Sequence, residues 1–522
     1  MKRTLVWVGA LVVAAGTPVQ AQTFSTQDPV LQRIWTEGME NSQLYPLAQT
    51  LLDSIGPRLT GTPQQRAAHD WAVAKYAQWG ITARNDQYGS WAGWRRGASH
   101  IDLVEPRLST LEGTMLAWSP GTQGPVHGPV VTLPEIAGAA EFEAWLPQAR
   151  GRFVMLSFPQ PTCRPDENWE KWATPDSFSR MRTERAAAMQ AWNARVQATG
   201  VETRDLPRRL EQAGALGVVT SNWSGGWGVN KIFSARTQQV PTVDLSCEDY
   251  GMVFRLAQNR QGPVIRVNAD SELLGEVPAF NTIAEIPGRN RNEYVILSAH
   301  FDSWDGGTGA TDNGTGTVVM MEAMRILKSV YPQPRRTILV GHWGGEEHGL
   351  IGSRAFVADN PRIVRGAQVV LNQDNGTGRI SNISMQGFSR AGEYFTRWLS
   401  RAPQEISRHV ALQQPGVPSG GGSDHASFVC AGVPAFALSA LSWDYGTYTW
   451  HTNRDTFDKI VFDDLRNNAV MVAMLAYMAA EERTRVPRDR QDPLPVNPRT
   501  GERIEWPACV APYRTPAESP RM

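Results

Sequence analysis

Near its middle the chain reads Tyr294-Val295-Ile296-Leu297-Ser298-Ala299-His300-Phe301-Asp302. A short apolar run is followed at once by a histidine and, two residues on, by an aspartate. A run of this length is typical of a strand that is buried on both faces of a sheet. Side chains that directly follow such a strand lie at the sheet edge, where the ends of neighbouring strands meet. The stretch therefore predicts a buried sheet with polar groups at one edge.

The same pattern repeats between residues 291 and 485. Apolar runs end shortly before Glu346 and Asp374, and helical stretches such as 316–329 and 463–480 follow them. Alternating strands and helices are typical of an α/β fold, in which helices cover both faces of a sheet. We therefore expect a mostly parallel, mixed sheet flanked by helices.

The chain has 522 residues, which is too long for a single core. Short apolar runs between about residues 120 and 272, without clustered histidines or carboxylates, predict a smaller strand-rich domain. The predicted units are a signal peptide (1–21), the N-terminal part of the main domain (22–118), an inserted domain (119–275), the catalytic region (276–485) and a Pro- and Arg-rich tail (486–522). We expect the tail to be extended.

The first residues predict export. Lys2 and Arg3 precede an apolar run from Leu5 to Gly16, and Val19-Gln20-Ala21 provides small residues before Gln22. This is the pattern of a secretory signal, so we expect a periplasmic or extracellular protein. A membrane anchor is the alternative, but the run is shorter than the ~20 residues that span a bilayer.

Charge and cysteine content narrow the function further. The chain carries 51 Lys and Arg against 51 Asp and Glu, a balance that does not favour nucleic acid as a partner.

The four cysteines of the chain permit three complete pairings. A disulfide between Cys163 and Cys247 is favoured, because both residues lie in the inserted domain. Their spacing does not match a zinc motif, so a metal would be held by histidines and carboxylates.

Residues of the type that binds zinc follow successive predicted strands or lie in the loops at the same edge. The candidate metal ligands are His300, Asp312, Glu347, Asp374 and His451. Zinc accepts imidazole and carboxylate ligands. A pair of zinc ions needs a carboxylate that bridges them and terminal ligands on each, and this set provides both. We therefore predict two Zn²⁺ per chain, with Glu346 as the general base.

Each of these residues has a plainer interpretation when it is taken alone. A single histidine is more often structural, and Glu346-Glu347 is usually a solvated pair or the start of a helix. Asp374-Asn375-Gly376 and Asp312-Asn313-Gly314 are common turn sequences. Their joint placement after successive strands favours the metal site.

The segments around these residues resemble the zinc aminopeptidase family, which includes bacterial leucyl aminopeptidases and peptidases of the carboxypeptidase Q (plasma glutamate carboxypeptidase) type. The similar segments are Ser298–Trp304, Gly309–Gly316, Gly345–Ser353, Gly422–Phe428 and His451–Thr456. They occur in the family's order over about 160 residues. The resemblance implies a zinc exopeptidase fold.

The resemblance also implies a role for each ligand. His300 and Asp374 would bind one zinc ion. Glu347 and His451 would bind the other, and Asp312 would bridge the two. A carboxylate shared in this way is a regular feature of sites with two metal ions.

Further roles follow from the same resemblance. Glu346 would be the base and Asp302 would orient His300, as metal-bound histidines usually require. The Asp312-Asn313 peptide bond would be cis. Gly56–Thr62 is similar to the start of the family's peptidase domain, so residues 119–275 would form an inserted protease-associated domain.

Four more residues are predicted to surround the site. Asp424 and His425 would line it without binding metal. Tyr445 or Tyr448, in the aromatic loop 443–450, could donate a hydrogen bond to a tetrahedral oxyanion. A role in packing or as a pocket wall is the alternative for either tyrosine.

The predicted function is that of a secreted or periplasmic di-zinc metallo-exopeptidase. It would hydrolyse dipeptides or short peptides as an aminopeptidase, dipeptidase or carboxypeptidase. The alternatives are a glutaminyl cyclase-like single-zinc acyltransferase and a non-catalytic binding protein on a peptidase scaffold. The intact ligand set favours the two-metal hydrolase. We expect a peptide as the partner, and no nucleic acid. We expect no membrane span after signal cleavage. The sequence leaves open whether the chain forms a homodimer.

Overall fold

The computed structural model of the protein describes residues 26–519. The predicted signal peptide, residues 1–21, lies outside the described residues. Across the described part of the chain, none of the helices combines the length and the apolar character that a membrane span requires.

The described residues form strands and helices that alternate along most of the chain. The strands are β1 (Thr82–Glu105), β2 (Ser109–Thr110), β3 (Gly113–Met115), β4 (Val126–Thr132), β5 (Phe153–Met155), β6 (Gly217–Thr220), β7 (Thr242–Leu245), β8 (Val264–Ile286), β9 (Asn290–His300), β10 (Arg336–Trp343), β11 (Ala367–Asn372), β12 (Ile380–Ser384), β13 (Ala411–Gln413) and β14 (Ala435–Ala440). The helices are α1 (Pro29–Glu40), α2 (Leu44–Gln49), α3 (Pro63–Gln78), α4 (Ala139–Trp145), α5 (Asp166–Trp172), α6 (Pro175–Ala198), α7 (Leu206–Gln212), α8 (Cys247–Gln258), α9 (Thr315–Val330), α10 (Ile351–Asp359), α11 (Pro361–Gly366), α12 (Ala391–Leu399), α13 (Gln404–Ser407), α14 (His425–Val429), α15 (Tyr445–Tyr448) and α16 (Phe462–Glu481).

The main sheet is built around β9, the strand quoted above. It pairs in parallel with β10 on one side and with β11 on the other, and β11 pairs in parallel with β14. β8 and β12 add antiparallel pairs outside these strands. This mixed, mostly parallel order confirms the predicted fold class. It brings the carboxyl ends of four strands to one edge.

Helices cover both faces of this sheet. Val295 and Leu297 of β9 belong to a core with α1, α9 and α16. Ile296, which points to the opposite face, packs with Phe356 of α10 and Phe428 of α14. The alternation follows from the two-residue period of a strand. It explains why β9 reads as a continuous apolar run.

A second core lies between residues 94 and 304. Strands β4, β5, β6 and β7 pair in parallel, and their side chains pack with α8 around residues such as Phe153 and Val243. The long strands β1 and β8 join this core to the main sheet, because β8 pairs with β4 near its start and with β10 near its end. Cys163 and Cys247, the expected pair, form a disulfide here.

The tail, residues 486–519, runs along the surface of the main domain. A second disulfide joins its Cys509 to Cys430, next to α14. The Trp506 indole donates to the Val429 carbonyl at 3.1 Å, and Arg514 pairs with Asp359 at 2.8 Å. These contacts, among others, fix the tail against the main domain.

We predict that Leu297→Ala destabilises the main domain. Leu297 is completely buried in the central strand, so the substitution leaves a cavity and should lower the free energy of unfolding by about 2–5 kcal/mol. Leu273→Ala is the matched control, because that side chain is 58% exposed and its loss should change stability by less than about 0.5 kcal/mol. Urea denaturation followed by tryptophan fluorescence measures both. Equal losses would contradict the assignment of β9 to the core.

Candidate metal centre

The structure brings the five predicted ligands together at the carboxyl edge of the main sheet. His300 ends β9, while Glu347 and Asp374 come shortly after β10 and β11. Asp312 lies in the turn before α9, and His451 follows α15. Three groups have ligand atoms within 4.8 Å of one another: His300, Asp312 and Asp374; His300, Glu346 and Glu347; and Asp312, Glu347 and His451. The groups overlap, so they form one continuous cluster.

Asp312 lies between the two histidines. Its Oδ1 is 3.3 Å from His300 Nε2, and its Oδ2 is 3.2 Å from His451 Nε2. On one side, His300 Nε2 is also 3.0 Å from Asp374 Oδ1. On the other, His451 Nε2 is 2.8 Å from Glu347 Oε2. The cluster thus has two halves that share one carboxylate.

The electrostatics of both halves favour a cation. Burial alone would lower the pKa of His451, but Glu347 and Asp312 beside it raise that pKa to about 9. Burial also opposes protonation of His300, yet the acids around it, Asp374 foremost, raise its pKa well above the usual value. Burial and the charge of Asp312 raise the pKa of Glu347 to about 7. A buried group of acids and imidazoles of this kind is stabilised by positive charge.

Glu346 faces a cavity of about 320 Å³ above the cluster, which Asp312, Asp374 and Tyr445 also line. Burial raises the pKa of Glu346 well above that of an ordinary glutamate, and the charges of Asp374 and Glu347 add to this effect although His300 opposes it. The side chain therefore holds a proton more readily than an exposed carboxylate does.

Asp302 holds several parts of the site together. His300 Nδ1 lies 3.0 Å from its backbone carbonyl and 3.6 Å from its carboxylate Oδ1. The same carboxylate accepts hydrogen bonds from the backbone amides of Glu346, at 3.1 Å, and Glu347, at 3.3 Å. Thr60 donates to it at 3.1 Å. One buried side chain thus contacts both the His300 segment and the Glu346-Glu347 pair.

Asp455 supports the turn that carries Asp312, and sequence reasoning assigned it no role. Its two carboxylate oxygens accept hydrogen bonds from the backbone amides of Thr311, at 2.7 Å, and Asp312, at 3.0 Å. Burial raises its pKa to about 7, and the charge of Asp312 adds to this. The sequence feature that could have identified Asp455 is its place in the His451–Thr456 motif. The Asp312-Asn313 peptide bond in this turn is cis, as the resemblance implied.

Arg58 fixes the loop between His300 and Asp312, and its role was also missed. The guanidinium is completely buried and donates to four backbone carbonyls, those of Gly56 at 3.2 Å, Phe301 at 2.9 Å, and Thr308 and Gly309 at 2.8 Å. Burial lowers its pKa to about 10, so the side chain remains a cation near neutral pH. The Gly56–Thr62 motif contains this residue, but the motif indicated only where the domain starts.

The second core reaches the loop that carries His451. Lys231 Nζ donates to the carbonyls of Gly446, at 2.7 Å, and Trp450, at 2.6 Å, and lies over the Trp450 ring. The Ile232 amide donates to the His451 carbonyl at 2.7 Å. The Trp450 and His451 rings stack with centroids 3.9 Å apart. Residues of the predicted inserted domain thus fix one half of the cluster.

The four residues that were predicted to surround the site lie in different places. Tyr445 lines the cavity, and burial together with nearby acids raises its pKa well above the usual value, whereas the Tyr448 ring lies beside Gly226 of the second core. Asp424 and His425 are buried at the start of α14. Burial raises the pKa of Asp424 to about 7 and lowers that of His425 to about 4.

Comparison with known proteins gives relatives that match most of the chain. A sequence model described as Peptidase family M28 matches residues 281–476. Carboxypeptidase Q of Mus musculus is 24% identical over 453 residues, which cover 86% of this chain and 88% of that protein. The structure of a peptidase M28 precursor from Shewanella amazonensis SB2B has a TM-score of 0.62 at 22% identity, covering 88% of this chain and 97% of that chain. BSAP, a zinc aminopeptidase from Bacillus subtilis, has a TM-score of 0.54 at 18% identity, with coverage of 88% and 97%.

The family match and the relatives, together with the fold, identify the class of protein: a zinc-dependent metallopeptidase of the exopeptidase kind. Its substrates are therefore peptides. More narrowly, residues 281–476 match the Peptidase family M28 model, and the chain as a whole is similar to zinc aminopeptidases and to carboxypeptidase Q. The predicted family and enzyme class are confirmed.

We predict that Asp455→Asn destabilises the turn that carries Asp312. The amide keeps the size of the side chain but turns an NH₂ group towards a backbone N–H, so one buried donor loses its acceptor. The expected loss is about 1–3 kcal/mol in the free energy of unfolding. Asp458→Asn is the control, because that side chain is 70% exposed and its change should be within about 0.5 kcal/mol. Thermal unfolding measures both variants. If the midpoint temperature fell equally in both, the result would argue against a structural role for Asp455.

Proposed function

We propose that this protein is an exported exopeptidase with two zinc ions, which hydrolyses dipeptides or short peptides. The position of Asp312 is the observation that carries the proposal. Its two oxygens face different histidines, at 3.3 and 3.2 Å, so each oxygen would bind a different metal ion. A carboxylate shared between two ions is the feature that a two-metal site needs.

The donor set fits zinc in both halves of the cluster. His300 and Asp374 would hold one ion, Glu347 and His451 would hold the other, and Asp312 would contact both. Imidazole nitrogens and carboxylate oxygens are the zinc ligands expected where cysteine is not used. When bound, such a pair supplies Lewis-acid polarisation of a carbonyl and a water that ionises near neutral pH.

Glu346 is the residue that would move protons. It faces the same cavity as the ligands, and its carboxylate would accept a proton from the attacking water and then donate it to the nitrogen of the departing amine. A buried carboxyl with a raised pKa suits this exchange, because it must both take up and release the proton. Tyr445 would remain a phenol and donate a hydrogen bond to the oxyanion that forms on the carbonyl.

The location and the domain division belong to the same proposal. Two disulfides support an oxidising compartment, and the pattern of residues 1–21 supports a signal peptide. The separate second core supports residues 119–275 as an inserted, protease-associated-like domain. Analytical ultracentrifugation would test whether the protein forms a homodimer.

We expect purified protein to contain about two zinc ions per chain, and removal of zinc by a chelator to abolish peptide hydrolysis. His451→Ala should leave about one ion, because it removes a ligand from one half only. His409→Ala, which changes an exposed histidine, should keep both ions. Inductively coupled plasma mass spectrometry measures the content. Active protein without zinc would refute the metal assignment.

We expect Glu346→Gln to keep its zinc and to lose about 10²–10⁴-fold in kcat, which is the usual contribution of a general acid-base residue. Glu393→Gln in α12 is the control, because its side chain is 60% exposed and it should retain full activity. Steady-state hydrolysis of a dipeptide, with zinc measured on the same samples, tests both. A fully active Glu346→Gln would show that another group is the base.

A further inference from the structure

The edge of the main sheet opposite the metal cluster carries a group of arginines, which we call the arginine edge. β9, β10 and β11 are parallel, so the residues at which they begin lie together at this edge. The segment after α16 also reaches it, because Arg485 donates to the Arg365 and Ala367 carbonyls, at 2.7 and 3.0 Å. The arginine edge consists of Arg291, Arg335, Arg362, Arg365, Arg485 and Arg488.

The positive charge of the arginine edge is not neutralised within the fold. Three acids nearby are paired with other arginines: Glu293 with Arg336 at 2.7 Å, Glu481 with Arg289 at 3.4 Å, and Glu482 with Arg397 at 2.8 Å. Across residues 26–519, no ion pair joins an acidic side chain to any arginine of the arginine edge. The chain as a whole is neutral, so this charge is a local feature.

Repulsion within the group is visible at two guanidinium groups. Burial lowers the pKa of Arg488, and the charge of Arg485 lowers it further. Burial also lowers the pKa of Arg336; Glu293 opposes this effect, whereas Arg335 and Arg485 add to it. Like charges that are held together destabilise a compact state, so an anion bound here would relieve the repulsion.

Helix capping explains only part of the group. Arg485 and Arg488 donate to carbonyls at the end of α11, which lack donors within the helix. Arg291, Arg362 and Arg365 are exposed, and their guanidinium groups form no hydrogen bond with other parts of residues 26–519. These three side chains therefore keep their donors for a ligand.

A cavity of about 460 Å³ opens at the arginine edge. Three arginines, two asparagines and one acid are among its lining residues: Arg362, Arg365, Arg485, Asn290, Asn292 and Glu293. The acid repels an anion less than a free carboxylate would, because Arg336 holds it. Guanidinium groups bind phosphate oxygens through paired hydrogen bonds, so the cavity suits a phosphate group.

The extent of the arginine edge favours a surface of phosphate groups over a single free anion. Its arginines come from four segments: the start of β9, the residue before β10, α11, and the chain after α16. In these segments no large apolar or aromatic side chain is exposed. Single-stranded nucleic acid is usually bound through stacking on aromatic rings, which the arginine edge does not offer. The predicted export would place the protein beside membranes.

We propose that the arginine edge docks the protein on a membrane surface rich in anionic phospholipid, by binding the phosphate groups of the lipids. The contact is electrostatic, because the edge has no large exposed apolar side chain to insert into the lipid. The metal cluster lies at the other end of β9, a strand of 11 residues that is therefore about 35 Å long. The cluster thus faces away from the membrane and stays open to soluble peptides.

Co-sedimentation with lipid vesicles tests the docking. The purified protein is mixed with vesicles of phosphatidylcholine alone, or of equal parts of phosphatidylcholine and phosphatidylglycerol. It should bind the second kind and not the first. At about 1 M NaCl, where the Debye length is ~3 Å, binding should be lost. Equal binding to both kinds of vesicle, or binding that salt does not weaken, would overturn the proposal.

Arg362→Gln combined with Arg365→Gln tests the residues. Both side chains are exposed, so the double variant should unfold at the wild-type temperature. Its affinity for the phosphatidylglycerol vesicles should fall at least about tenfold, whereas lysine at both positions should keep most of the binding because the charge is retained.

The matched control is Arg204→Gln combined with Arg208→Gln, which removes the same charge from exposed positions of the second core. Its affinity for the vesicles should change by less than about twofold, because charges beyond a Debye length from the surface are screened. An equal loss in both double variants would show that net charge decides binding and that the arginine edge is not the docking surface.

Other ligands give different results. If isothermal titration shows that inorganic phosphate binds while the vesicles do not, the cavity serves a small anion and the membrane proposal falls. It falls also if a DNA duplex binds more tightly than the vesicles. Dipeptide hydrolysis should proceed equally well on vesicle-bound protein, and inhibition there would overturn the orientation. Vesicle binding does not involve the metal ligands, so a failure of the proposed peptidase function would leave it unchanged.

Discussion

The carboxylate of Asp312, held between His300 and His451, is the contact on which the rest of the site depends. A buried carboxylate loses its hydration, and this penalty reaches several kcal/mol unless other groups replace the water. Here Asp455 fixes the backbone amide of Asp312, and the Arg58 guanidinium fixes the carbonyls of the preceding loop. The backbone of the turn is therefore held by Asp455 and Arg58, and not by the histidines that the Asp312 side chain faces.

The two halves of the cluster have different structural origins. His300 and Asp374 follow adjacent parallel strands, so the pairing of β9 with β11 sets their spacing. His451 follows no strand directly, and its loop is fixed by Lys231 and Ile232 of the second core. The spacing of His300 and Asp374 thus follows from strand pairing, whereas the position of His451 depends also on how the second core packs against the sheet.

Much of this arrangement was predictable from the sequence. Buried parallel strands appear in a sequence as continuous apolar runs, and the residues that follow these runs lie at the carboxyl edge of the sheet. That reasoning led to the α/β fold and to the five residues that the structure brings together. Arg58, Asp455 and Lys231 escaped it, because they act on backbone carbonyls and amides, which leave no sequence pattern. The choice between Tyr445 and Tyr448 escaped it too, since an irregular loop has no period that fixes where each side chain points.

The cavity above the cluster is lined by four of the five ligands and also by side chains that are not ligands. Trp450, fixed by Lys231, and Arg354 of α10 are among the lining residues that are not ligands. The tail is joined to the main domain by a disulfide and by surface contacts, so a change of sequence there leaves the strands and the Asp312 turn untouched. The sequence of the tail can therefore vary while the sheet keeps the geometry of the cluster.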